Sequence, residues 1–253
     1  MADSRVAELK AKPGAWVDLG LTLPIFVLYH LGVVFLGVKN GTDFLTGFML
    51  RVSEGSVPTY LGITLALGVA FAIPFVVVAR GQAFQPRKFI QMAIEGTVYA
   101  TFMGVAVPRL VGAIFAGPAV QDEGRVAGFI MSLGAGFYEE LSFRVVLFGL
   151  GGKLITWLLA REKVGALSGA APAEGKKFSF KAFAVLVAWS VVCAMVFSAI
   201  HYIGPYGDTF QLRSFVARLL LGLVLTFIFS TRGFATAVWT HAIYDVWVLV
   251  LRV

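Results

Sequence analysis

The sequence has almost no cysteine. A single one, Cys193, stands inside an apolar run. No disulfide framework can form, and the thiol is expected to act as a small buried hydrophobe. Charge is scarce as well: only 14% of the 253 residues are charged, against about 25% in an ordinary soluble domain. There are only three histidines. Alternation with period two is missing, which argues against an outer-membrane barrel. No internal repeat of fixed period is evident, nor the inverted repeat of many transporters. The first dozen residues are polar and mixed in charge, and the apolar run after them lacks a small-residue cleavage site. That run is expected to be a retained first span and not a signal peptide.

What the sequence does have is apolar length. Hydrophobic residues make up 58% of the chain, more than a soluble domain of this size needs. Stretches of about twenty apolar residues predict membrane helices. They fall near 17–38, 59–79, 89–116, 126–150, 182–203, 214–230 and 233–251. Residues 153–160 either prolong the fourth span or belong to an eighth, shallow element. The expected fold is therefore all-α, a polytopic transmembrane helical bundle of seven or eight membrane helices forming a single domain over 1–253. The catalytic core is expected at 126–252. A stretch rich in Gly, Ala, Pro, Ser and Lys at 161–180 reads as a flexible loop. On a seven-span count with the N-terminus inside, thirteen Lys and Arg fall in inner segments and five in outer ones. That bias favours the N-terminus inside. The net charge of +7 then points to loop orientation and anionic lipid, not to nucleic acid.

Charged side chains in hydrocarbon are expensive, face the protein interior and usually mark function. The densest case is Phe137-Tyr138-Glu139-Glu140-Leu141-Ser142-Phe143-Arg144. Glu140 and Arg144 are four apart and share a helical face. Glu139 is turned away from Glu140, so the two carboxylates have different roles. All three histidines, His30, His201 and His241, lie in apolar segments. His241 and Asp245 are one helical turn apart, a spacing that suits two metal ligands, or a ligand and its supporting carboxylate. Together with Glu140 and His201 they could hold and deprotonate a water, or bind a divalent metal such as Zn2+ that does so. Composition leaves both routes open, and it leaves open the proton relays of transporters.

Three motifs in order, Glu139-Glu140…Arg144, Phe197…His201 and His241…Asp245, resemble those of the CPBP family. These are the CAAX-processing and bacteriocin-processing intramembrane proteases, also called Abi or type II CAAX proteases. The resemblance covers about Phe137 to Asp245. It implies an intramembrane endopeptidase with Glu140 as general base, helped by His201. His241 and Asp245 would meet the developing oxyanion or complete a metal site with Glu140 and His201. Arg144 would hold a motif carboxylate, chiefly Glu139, and Phe197 would shape the pocket wall. Which glutamate is the base follows from the resemblance and not from spacing. Asp245 departs from the Asn of prenyl-protein CAAX proteases. An ionised Asp cannot donate to an oxyanion, so Asp245 must be protonated, orient His241 or bind metal. The departure weakens the metal-free scheme and favours a metal, and it argues against CAAX processing proper. The expected partners are the bilayer and a peptide or protein substrate entering from the membrane or cytoplasmic side. The expected location is a bacterial or archaeal cytoplasmic membrane.

Blander readings stand beside these. His30 has no motif around it and is expected to be a hydrogen-bonded packing residue. Glu95 and Arg109 are expected to snorkel to the interfaces or pair with neighbouring helices, and Arg218 to anchor at an interface. Two other functions fit the composition: a peptide-binding immunity or scaffold protein of the same fold, and a proton-coupled carrier. Depth poses a conflict. Glu140 lies about 21 Å from the outer end of a helix beginning at Val126, at 1.5 Å per residue, whereas His201 closes its span at the outer end.

Overall fold

The structure, a computed structural model, describes residues 14–78, 86–114, 124–165, 179–204 and 207–251. Residues 166–178, most of the expected flexible loop, lie outside the described residues. Among the described residues every regular element is a helix. In chain order these are α1 (Ala15–Gly20), α2 (Leu23–Leu36), α3 (Phe44–Val52), α4 (Val57–Val78), α5 (Arg87–Ile114), α6 (Arg125–Ala160), α7 (Phe180–Ile200), α8 (Leu212–Arg232) and α9 (Phe234–Leu251). Six helical stretches, with α1 and α2 counted as one, are long and apolar enough to cross a membrane, and α4 is a further apolar helix of 22 residues.

The distribution of side chains is the inverse of a soluble protein's. On α5, Ile90, Ile94, Val98 and Phe102 recur every fourth position and are each about 60% exposed. They form one lipid-facing stripe. Asp18, His30, Glu139, Glu140, Arg144 and His241 are buried instead. Polar groups face inward because hydrocarbon offers them no partner. Cys193 is buried on α7, as expected.

The fourth span is longer than its apolar run indicates. α6 continues for 36 residues to Ala160, so residues 153–160 prolong it. A straight helix of that length reaches about 54 Å, well beyond the roughly 30 Å hydrocarbon core, so it must tilt or protrude. This length removes the depth conflict. α6 and α7 pack antiparallel on either side of the 161–179 connection. Glu139 and His201 are each twenty-one positions from the ends, Ala160 and Phe180, that flank it. Counted from Leu150 instead of Ala160, Glu139 would lie only eleven positions from that side.

From Ala135 to Leu150, α6 has the wider π-helical hydrogen bonding, as do the last six residues of α9, Val246–Leu251. Such widening is rare and gathers at functional sites. Here both widened stretches adjoin the motif residues. α6 and α9 also approach closely: a Cβ on Gly136 would stand 2.7 Å from that of Ala242 and 2.9 Å from the Val238 carbonyl oxygen. Only glycine allows that approach.

The start of α9 is fixed from the other end of the chain. Buried Asp18 accepts the backbone N–H of Phe234 and that of Ala235, the latter at 3.0 Å. A carboxylate there satisfies free donors and the positive end of the helix. Gly233 enters with φ +102, and a Cβ on it would meet Asp18 Oδ2 at 2.7 Å. Asp18→Ala is therefore expected to destabilise the protein by about 2 kcal/mol, the scale of charge-assisted hydrogen bonds. A thermal melt in detergent reads this as a lower Tm, and an unchanged Tm would contradict it. Glu95 and Arg232 pair through two contacts of 2.5 and 3.2 Å, so Glu95 ties α5 to the end of α8, the inter-helix alternative expected for it. Arg218 pairs with Asp208 and lies over the Tyr202 ring. It thereby links Asp208 to the Tyr202 ring.

Candidate active site

Three helices and one turn bring the site residues together. α6 supplies Glu139, Glu140 and Arg144. α7 supplies Phe197 and ends in His201, its C-cap. α9 supplies His241 and Asp245, and the turn after α2 supplies Asn40.

Glu140 is the deeper carboxylate and is fully buried. Its Oε2 lies 3.1 Å from Arg144 Nε, and its Oε1 accepts from His241 Nδ1 at 2.7 Å. The expectation that Arg144 holds Glu139 is thereby corrected: the four-residue spacing wins, and Arg144 pairs with Glu140. Arg144 is itself 1% exposed, and its guanidinium lies 4.5 Å from the centre of the Phe197 ring, a favourable cation–π contact. Phe197 therefore does more than shape a wall. Its ring also meets His201 and His241 edge-on at 5.2 and 6.1 Å, and Phe143 at 5.2 Å.

Glu139 occupies the other side. Its Oε2 is 3.9 Å from His201 Nε2 and 3.9 Å from His241 Nε2. Asp245 Oδ2 lies 3.6 Å from the same His241 nitrogen. These separations exceed a direct hydrogen bond. His201 Nδ1 is 2.8 Å from the Phe197 carbonyl oxygen. A carbonyl only accepts, so Nδ1 carries the proton, and in the neutral ring Nε2 presents a lone pair toward Glu139. The carboxylate opposite His241 Nδ1 likewise fixes that proton, so His241 Nε2 is the nitrogen that faces the site. His201 is 26% exposed through its side chain and marks the open side.

The residues do not form a metal cage. Among the described residues no group of three or more His, Cys, Asp or Glu is set to hold a metal ion. Glu140, expected as one ligand, has one oxygen on His241 Nδ1 and the other beside a guanidinium. A cation at Glu140 would sit against Arg144. Both oxygens of Glu140 thus already have neighbours, which sets it apart from His201, His241 and Asp245 as a ligand.

His30 is a packing residue, as its surroundings suggested. It is fully buried between Tyr60 Oη at 2.9 Å and Tyr138 Oη at 2.6 Å. Asn40 and Tyr29 carried no sequence signal for the site. Asn40 stands in Lys39-Asn40-Gly41-Thr42-Asp43, which reads only as turn chemistry. Its Nδ2 nevertheless donates to Glu139 Oε1 at 3.1 Å.

Residues 122–247 match the model of a family described as Rce1-like, type II CAAX prenyl endopeptidase Rce1-like. No curated protein and no solved structure matches the chain.

Proposed function

On the premise of the Rce1-like match over residues 122–247, we propose that the chain is an intramembrane endopeptidase that hydrolyses a peptide bond of a membrane-associated peptide or protein, with Glu139 as general base. The observation that carries the reading is the pair of 3.9 Å approaches from Glu139 Oε2 to the outward nitrogens of His201 and His241. Glu140 is occupied by Arg144 and His241, which argues for Glu139 over the Glu140 expected from the motif. In this scheme a water donates one hydrogen to Glu139 and the other to His201 Nε2, which leaves its lone pairs for the substrate. Glu139 takes the proton as the oxygen attacks the carbonyl carbon. His241, doubly protonated between the Glu140 and Asp245 carboxylates, keeps Nδ1–H on Glu140 and offers Nε2–H to the oxyanion, and Asp245 keeps that ring on the site side. Collapse breaks the C–N bond, and the proton on Glu139 passes to the leaving amine. Atoms and protons balance without a cofactor.

The expected role of Asp245 as an orienting group supports a substrate range not restricted to prenylated ends. The bias of Lys and Arg toward one side, thirteen against five, supports an N-terminus inside. The test is cleavage of lipid-anchored fluorogenic peptides, one with a prenylated CAAX end and one without, by purified protein in vesicles. His201→Ala is expected to lower turnover about 10²-fold, the lower range for proton-transfer groups, with Tm kept. If folded wild-type protein cleaves neither peptide while binding them, the scaffold reading replaces this one.

A further inference from the structure

The general base receives a contact from outside the matched segment. Asn40 lies in the turn between α2 and α3, ninety-nine residues before Glu139 in sequence, and its side-chain nitrogen is 3.1 Å from Glu139 Oε1. It is only 6% exposed. Its amide orientation is fixed by its other bonds. Thr42 N–H and Thr42 Oγ1–H both donate to Asn40 Oδ1, at 2.9 and 2.6 Å. An oxygen that accepts two donors on that side leaves Nδ2, the donor, on the Glu139 side.

The turn itself is clamped. Tyr29 Oη accepts the Asn40 backbone N–H at 2.9 Å and donates to Asp43 Oδ2 at 2.7 Å. The other oxygen of Asp43 caps α3 by accepting Thr46 N–H at 2.8 Å. Tyr29 is fully buried, and its ring packs against those of His30 and Tyr138. A chain of buried bonds therefore sets the position of one side-chain amide against one carboxylate oxygen. Fully satisfied buried networks of this kind rigidify the groups they hold.

We propose that Asn40 is a positioning residue for hydrolysis: its amide holds Glu139 Oε1, so that Oε2 alone is presented toward His201 and His241. The inference rests on the proposed role of Glu139. A carboxylate with two free oxygens can rotate about its last torsion, a broad and soft one. A donor on one oxygen fixes that rotation and leaves the second oxygen, with its lone pairs, aimed at the water. The N-terminal helices are thereby part of the active site and not only a support for it. A misplaced catalytic group loses rate through geometry, and displacement on the order of 1 Å costs about 10²-fold.

Asn40→Asp and Asn40→Ala separate this role from a structural one. Asp keeps an oxygen for Thr42 and therefore the turn, but replaces the donor facing Glu139 by an acceptor. Ala removes both. The readouts are turnover per folded molecule, Kd for an uncleavable peptide, and Tm, with wild type and Glu139→Gln as references. Asn40→Asp is expected to lose kcat by at least tenfold, with peptide Kd within twofold and Tm within a few degrees. Asn40→Ala loses kcat similarly and also lowers Tm. Wild-type turnover per folded molecule in Asn40→Asp overturns the proposal. So does failure of both variants to fold, which makes Asn40 a structural residue only. An inactive wild type, or an active Glu139→Gln, strikes instead at the reading of Glu139, so the two failures are distinguishable.

Discussion

Glu139→Gln is expected to reduce peptide cleavage by about 10²–10⁴-fold, the range lost with a general base, in protein that folds and melts as wild type does. The substitution is nearly isosteric and removes only the charge. The Arg144 guanidinium pairs with Glu140. The nearest groups to Glu139 are Asn40 Nδ2 on one oxygen and the two histidine nitrogens near the other. A glutamine keeps a carbonyl oxygen to accept from Asn40, so the bond that fixes its rotation can persist. What it cannot do is take a proton from water. The loss is therefore expected in kcat, with little change in the affinity for an uncleavable peptide. Activity within a few-fold of wild type would remove Glu139 from the role of base.

Glu140→Ala acts through stability. Arg144 and Glu140 are 1% and 0% exposed, so the substitution strands a buried positive charge. Breaking a buried pair from one side costs about 3–5 kcal/mol, and the sign does not depend on which partner goes. Arg144→Ala is expected to destabilise to a similar degree, and it also removes the group stacked on Phe197. The paired change Glu140→Met with Arg144→Met replaces two charges by apolar groups of similar length, and such replacements are often neutral. It is expected to recover most of the lost Tm while remaining poorly active, because His241 Nδ1 has lost its acceptor. A double variant as unstable as the sum of the singles would show that the charges do not act as a pair.

The membrane helices were legible in the sequence because hydrocarbon leaves long apolar runs, and each expected span lies within a few residues of an observed helix. The end of α6 was not, since residues 151–160 include Lys153 and look like a boundary. A charge on a helix that extends past the bilayer breaks no rule, yet it interrupts the run. The motif residues stand out as a group in the sequence, and in the structure Glu139, Glu140, Arg144, Phe197, His201, His241 and Asp245 lie near one another. The division of labour between the two glutamates was not. Adjacent residues point to different sides, but only the positions of Arg144, His201 and His241 around a π-helical turn say which side is which. The four-residue spacing of Glu140 and Arg144 did carry that answer in part. Asn40 was illegible because its contact spans ninety-nine residues and its local sequence has a sufficient explanation as a turn.

The most direct test of the account measures turnover per folded molecule for Glu139→Gln and Glu140→Gln side by side in the same vesicles. Near-zero turnover is expected for Glu139→Gln, with an unchanged Tm. For Glu140→Gln a lowered Tm is expected, with measurable turnover in the molecules that remain folded. The reverse pattern, an active Glu139→Gln and a folded but inactive Glu140→Gln, would contradict the account.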